Sequence, residues 1–362
     1  MNFLIVLIST FILSVVLTGA VRSFAVKKNL VVVPRGRDVH KKPLPRLGGL
    51  AIFLSFLLVL LIYFIFIAPG ADISKGLWWG IDKKVVGIWL ASAVIVVTML
   101  IDDLRGLPAL VKLFFQIVAV AIIVASGIGI DSLSNPFGPP INLNSVYLPI
   151  NLFGTTYHFS LWSDLLTAVW LIGMMNIVNF IDGVDGLAAG ISAIAAVVLF
   201  LLSLGVGQPA VAMISIILAG ATLGFLLWNF YPAKIFMGDC GSMFLGLMLG
   251  VIPLVSGGKL ATAFLVLGFA IVDGLIVAAA RIIRGKNPLT TPDKTHLHHR
   301  FLAAGFSVPQ AVVSMYIIAA LFGWVALRST ALRKIIASTI LIILVTALII
   351  ALNFIKKKRQ RS

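Results

Sequence analysis

Five polar breaks in an otherwise apolar chain hold the residues that could do chemistry. Asp102-Asp103-Leu-Arg105-Gly106 sets two carboxylates side by side with no lysine next to them. At a membrane surface such a pair repels itself and costs desolvation; a cation or phosphate-bound Mg2+ between it and a substrate relieves both. A solvated turn is the plainer alternative. Asn179-Phe-Ile-Asp182-Gly-Val-Asp185-Gly186 places three polar groups at i, i+3 and i+6, one face of the chain if the backbone there is helical. Its two glycines leave room for a ligand to approach the main chain. A helix cap would explain one of these Asp residues but not three aligned groups.

The other breaks are basic or glycine-rich. Asn229-Phe-Tyr-Pro-Ala-Lys234-Ile-Phe-Met-Gly238-Asp239-Cys240-Gly241-Ser242 reads as a turn that aims one carboxylate and offers backbone donors at a helix N-terminus. Asp293-Lys294-Thr-His296-Leu-His298-His299-Arg300 gathers three of the five histidines. It lacks the Cys or Glu partners of familiar zinc patterns, so holding a diphosphate beside Arg300 suits it better. The first loop, Pro34 to Gly49, carries His40, Lys42 and Arg46 with a Gly-Gly pair, either a phosphate-holding segment or a topology-setting basic loop. Asp273 lies within an apolar span, where a carboxylate signals function or a hydrogen-bonded helix contact.

The elements that position these breaks are membrane spans. The chain is 60% hydrophobic and 11% charged, with mean hydropathy +1.13, which excludes a soluble globular domain. About eleven apolar runs long enough to cross a bilayer as helices recur, near 3–21, 47–68, 85–101, 110–130, 161–178, 187–204, 208–228, 242–256, 260–280, 309–327 and 335–354. The fold expected is an all-α polytopic membrane protein, a single domain over 1–362 with a basic tail at 355–362.

With the N-terminus outside, 21 of the 28 basic residues fall in one set of loops and the tail. That bias makes this side cytoplasmic, and every chemistry-bearing break lies on it. Met1–Ala20 lacks a basic n-region, so it reads as a retained helix and not as a cleaved signal. The formal net charge of +16 suits anionic lipids and anionic substrates; nucleic-acid binding is not expected. A lone Cys240 excludes an internal disulfide, and all twelve acidic residues are Asp. The segment 131–160, rich in turn residues and alternation, suits either a small hairpin or a connecting loop.

In order and in residue type, these breaks resemble the polyprenyl-phosphate N-acetylhexosamine-1-phosphate transferase family. The resemblance runs from His40 to Arg300 and rests on Asn-Phe-Ile-Asp-Gly-x-Asp-Gly-Leu-Ala, Pro-Ala-Lys-Ile-Phe-Met-Gly-Asp-x-Gly-Ser and His-Leu-His-His-Arg. It is nearest to the bacterial branch that transfers GlcNAc-1-phosphate to undecaprenyl phosphate. The peptidoglycan branch, which uses UDP-MurNAc-pentapeptide, usually ends the last motif without this Arg. The family often has an acidic residue before the first-loop Pro and a second basic residue near the His; here those positions read Val33 and Asp38, and Cys240 replaces another small residue.

The resemblance implies that Asp102 and Asp103 face the acceptor phosphate and that Asp239, with Asp182, binds Mg2+, Mn2+ being an alternative. Asn179, Asp185 and Asn229 would line the nucleotide pocket. His296, His298, His299 and Arg300 would hold the diphosphate, with Lys42 and Lys112 assisting. The reaction would move a sugar-1-phosphate from a UDP-sugar to a lipid phosphate at the cytoplasmic face of the plasma (inner) membrane and release UMP, mainly by positioning and charge neutralisation. The acceptor phosphate is largely dianionic at pH 7, with a second pKa of about 6, so orientation outweighs proton removal as the task of Asp102 and Asp103. The acceptor tail needs a lipid-facing groove, with Asp273 close to it. Partners would be the two substrates and membrane lipids, and a homodimer stays open. A transporter or flippase is the alternative of another class. Transporters tend to place polar groups near the midplane in repeated halves, and neither feature is visible here.

Overall fold

The computed structural model describes residues 2–32, 43–68, 77–78, 81–133, 135, 137–152, 155–257, 260–283, 285 and 296–359. Lys42, with most of the first basic loop, lies outside them. Within a bilayer only a helix satisfies each backbone polar group inside its own segment, and the apolar runs fold accordingly. The helices are α1 (Phe3–Lys27), α2 (Gly48–Ile62), α3 (Lys83–Arg105), α4 (Ala109–Ala125), α5 (Leu161–Ile181), α6 (Leu187–Gly205), α7 (Pro209–Asn229), α8 (Gly238–Val255), α9 (Leu260–Ile283), α10 (Leu297–Ala303), α11 (Val308–Arg328) and α12 (Ala331–Arg359).

Ten of the described helices are long and apolar enough to cross a membrane, α2 being so only with the π-helical turn Tyr63–Ile67 that continues it, and α4 is apolar but shorter. Each expected span has its helix, with three differences. The run near 85–101 extends to Lys83–Arg105, so Asp102 and Asp103 belong to the last turn of α3 and not to a loop. The run near 110–130 stops at Ala125, where Ser126 caps the helix and Gly127 turns the chain. The basic tail is not separate: α12 continues to Arg359, with its cations at the helix end that favours positive charge. Between α4 and α5, Tyr147–Leu152 and Thr155–Ser160 pair as an antiparallel hairpin.

α8 is the central element, buried along nearly its whole length and touched by α2, α3, α5, α6, α7 and α9. Small residues allow this. A Cβ at Gly246 would fall 2.5 Å from the Met175 backbone, and one at Gly49 would fall 2.1 Å from the Gly241 nitrogen. Helix backbones in lipid gain by such close approach. Segment 45–49 also locks onto 236–237: Phe236 N donates to Pro45 O, Gly48 N to Phe236 O and Gly49 N to Met237 O. These contacts bring the ends of α3, α5 and α7 and the starts of α4, α6 and α8 to one face.

Candidate functional site

The start of α8 organises the site. Gly238 turns into the helix with φ +77°, and a Cβ there would meet the Arg46 carbonyl at 2.3 Å and the Asp103 carboxylate at 2.5 Å. Only glycine fits. The two N–H groups that follow, of Asp239 and Cys240, donate to Asp103 Oδ1 and Oδ2 at 2.9 and 3.0 Å. The donors expected for a ligand at this helix start therefore serve a carboxylate from α3.

Asp239 is held from both sides. Its Oδ1 accepts from Asn179 Nδ2 at 3.1 Å, and its Oδ2 from Lys112 Nζ at 3.1 Å. Lys112 also donates to Asp102 Oδ2 at 2.7 Å, and Asp102 Oδ1 accepts from Leu107 N at 2.6 Å. Asn179 makes a second bond to Ser242 Oγ at 2.9 Å. Residues from α3, α4, α5 and α8 thus share one junction, whose only ammonium among the described residues lies between two carboxylates.

Asn179, Asp182 and Asp185 do not share a helical face. α5 ends at Ile181, and Asp182 to Gly186 form a turn in which Gly186 adopts φ +77°. The buried Asp185 bends away and accepts from Ala233 N at 2.9 Å. Asn229 accepts from Gly186 N and donates to Ile235 O, both at 3.0 Å, and the Tyr316 hydroxyl donates to Gly186 O. Asp185 and Asn229 therefore join the 182–186 turn to the segment after α7. Asp182 stays partly open, and burial of the remainder pushes its carboxyl well above the ordinary range; the Asp239 and Asp103 carboxylates add to the rise, and Arg46 opposes it.

The histidine motif divides its tasks. His296 Nδ1 lies 2.9 Å from Asp273 Oδ2, and Leu297 N donates to Asp273 Oδ1 at 3.0 Å, so the intramembrane carboxylate anchors α10. That is the helix-contact alternative for Asp273. His298 is buried against Gly183. Desolvation, then His299 and His296, hold its imidazole well below the usual range. The His299 ring lies tilted against it, centroids 4.3 Å apart, and Arg300 Nη1 donates to Asn353 Oδ1 on α12 at 2.8 Å. The cluster reaches the site through the contact of His298 with Gly183. An apolar cavity of about 480 Å3 lies between α6, α7 and α11, lined by Tyr316 and Trp324 among others; Asp273 is not among its lining residues.

Three residues with no individual role assigned from sequence also belong here. Arg46 places its carbonyl against Gly238 and its charge near Asp182. Ser242 binds Asn179. Arg281, 5% exposed, lies over the Phe180 ring at 5.9 Å, and Phe180 in turn faces His296. A buried arginine at the end of an apolar span was the available signal for the last.

Membrane-length helices with acidic, amide, ammonium and imidazole groups converging at one face define a polytopic membrane enzyme. Residues 85–257 match the sequence model of glycosyl transferase family 4. The chain is similar to a probable undecaprenyl-phosphate N-acetylglucosaminyl 1-phosphate transferase of Bacillus subtilis, 31% identical over 315 residues, covering 85% of this chain and 79% of the relative. It is also similar to a decaprenyl-phosphate N-acetylglucosaminephosphotransferase of Mycobacterium tuberculosis, 35% identical over 325 residues, covering 83% and 76%. A phospho-N-acetylmuramoyl-pentapeptide-transferase of Borrelia duttonii matches over 116 residues at 35% identity, 32% of this chain and 33% of the relative. The chain belongs to glycosyl transferase family 4, the polyprenyl-phosphate sugar-1-phosphate transferases.

Proposed function

We propose that the protein transfers GlcNAc-1-phosphate from UDP-GlcNAc to undecaprenyl phosphate at the cytoplasmic face of a bacterial plasma membrane, with Mg2+. The observation that carries this is the junction of Lys112, Asp102, Asp239 and Asn179 at the start of α4, which would receive the charged headgroup of the lipid acceptor. An acceptor phosphate oxygen attacks the sugar-linked phosphorus of the donor, the bridge between the two donor phosphates breaks, and UMP leaves with the bridging oxygen. Little covalent work falls to the protein, and positioning and charge carry the reaction.

Among the described residues no three His, Cys or Asp side chains already form a metal cage. Mg2+ does not need one, since it keeps several waters and takes one or two carboxylates with substrate phosphates. Asp182 and Asp239 suit it: both are oxygen donors, and burial, with the Asp239 and Asp103 carboxylates adding to it, raises Asp182, an unfavourable charge that a cation would relieve. When bound, the ion would neutralise phosphate charge and polarise the bond that breaks. Lys112 would neutralise the acceptor phosphate, Asn179 would orient Asp239, and Asp103 would fix the start of α8. Asp185 and Asn229 would shape the nucleotide side by joining two loops, and His298 with His299 would approach the diphosphate.

The test is UMP release by purified protein with undecaprenyl phosphate, UDP-GlcNAc and Mg2+, repeated with EDTA, with Asp239→Ala, and with UDP-MurNAc-pentapeptide or another UDP-N-acetylhexosamine as donor. Release that needs lipid phosphate, metal and Asp239 is the expected result. Release with a different donor alone would replace the sugar, and none from any donor would sink the reading.

A further inference from the structure

One helical turn deeper than the junction, uncharged polar side chains join the same helices. Gln116 on α4 is 2% exposed. Its Oε1 accepts from Asn176 Nδ2 on α5 at 3.3 Å, and its Nε2 donates to Met243 Sδ on α8 at 3.2 Å. Asn176 Nδ2 also donates to its own helix at Ile172 O, 2.8 Å away. Gln116 follows Lys112 by four residues, Asn176 precedes Asn179 by three, and Met243 follows Asp239 by four. Each member of this deeper set thus lies beneath one member of the junction.

A carboxamide inside an apolar bundle costs free energy unless it is bonded, and close packing of small residues already joins α5 to α8. Among the described residues α4 has no such glycine contact with α5 or α8; its close approach is to α3 at the far end, where a Cβ at Gly87 would meet Ser126 at 2.4 Å. Leu110 is 80% exposed, Phe114 58% and Ile117 50%, and the residues it buries are Gln116, Ala119, Val120 and Ile123. In the half of α4 near the site, Gln116 is the buried contact. A slide of α4 by one residue is a shift of about 1.5 Å, enough to separate an ammonium from carboxylates now at 2.7 and 3.1 Å.

We propose that Gln116 is a positioning residue: through Asn176 and Met243 it sets the register of α4 against α5 and α8, and so holds the Lys112 ammonium between Asp102 and Asp239. The kinetic part of the test rests on the transferase reading; the structural part does not. Gln116→Met keeps length and volume but loses the bond to Asn176, and Asn176→Leu removes the same bond from the other side. Each lowers kcat for UMP release by about tenfold to a hundredfold, the scale of a misplacement near 1 Å, while KM for the UDP-sugar stays within about twofold, because the donor-side loops are untouched. The double variant is no slower than the worse single one, since both remove one interaction. The exchanged pair, Gln116→Asn with Asn176→Gln, recovers most of the rate.

A residue that merely joined helices would lower the unfolding temperature and leave kcat unchanged, and that result overturns the proposal. So does a cryo-EM structure of Gln116→Met in which Lys112 keeps both carboxylate contacts. If Gln116→Met does not fold, Asn176→Leu, at a half-buried position, decides. If the wild-type protein releases no UMP from any donor, the transferase reading falls and the Lys112 geometry in the variant structure still decides.

Discussion

Replacing Lys112 with methionine removes the ammonium that lies between Asp102 and Asp239 and keeps most of its aliphatic bulk. Lys112 Nζ lies 2.7 Å from Asp102 and 3.1 Å from Asp239, so their oxygens are within about 6 Å of each other, and two unit charges at that separation repel by about 3 kcal/mol at an effective dielectric of about 20. The three side chains are at most 30% exposed, so water screens only part of this. Carried into the transition state, where a phosphate adds more negative charge, that energy corresponds to about a hundredfold loss of kcat. The assay is UMP release at increasing Mg2+, alongside thermal unfolding in detergent to confirm a folded protein. Higher Mg2+ should recover part of the rate, because a second cation can occupy the space between the carboxylates. Lys112→Arg should lie between the two, with charge kept but the fork misfitted. A folded Lys112→Met enzyme within about threefold of wild type at every Mg2+ concentration would refute the argument, since half of the estimated energy would already slow it about tenfold.

Gly238→Ala should abolish both folding yield and UMP release, because its methyl group would press on the Arg46 carbonyl and the Asp103 carboxylate in a left-handed turn; an active, normally melting Gly238→Ala protein would contradict the geometry. Asp273→Leu leaves His296 and the Leu297 N–H without their buried partner, and should cost about 3 kcal/mol of stability, read by unfolding in detergent. His298 is held neutral, its imidazole depressed below the usual range. The unfolded chain takes up a proton near pH 6.5 that the folded protein resists, so stability is full above about pH 6.5 and falls below it. His298→Asn should flatten the dependence of melting temperature on pH between about 7 and 5.5; an unchanged slope would count against a buried neutral His298.

The apolar runs were enough to show a polytopic helical protein, because the bilayer leaves a single-chain segment no other way to satisfy its backbone. The polar breaks alternate with those runs, and the residues of several of them meet at one face of the bundle. Residue types at the breaks were also readable: Asp239 after Gly238, Asn179 before Asp182 and the histidine cluster all arrive at one face. Their division of labour was not. Spacing suggested one helical face for Asn179, Asp182 and Asp185, but α5 ends at Ile181, and the turn that follows sends Asp185 to the Ala233 N–H. Asp103 binds the start of a helix 136 residues away, and Asp273 spends both carboxylate oxygens on α10.

Such pairings depend on which helix ends meet. Local pattern fixes where a helix begins, which side is apolar and what it can offer. Meeting is decided by close contacts between distant segments, such as Gly49 on Gly241 and Gly246 on Met175, whose partners no periodicity encodes. Only the packed bundle brings Lys112 between Asp102 and Asp239, because that position exists where four helices cross and in none of them alone.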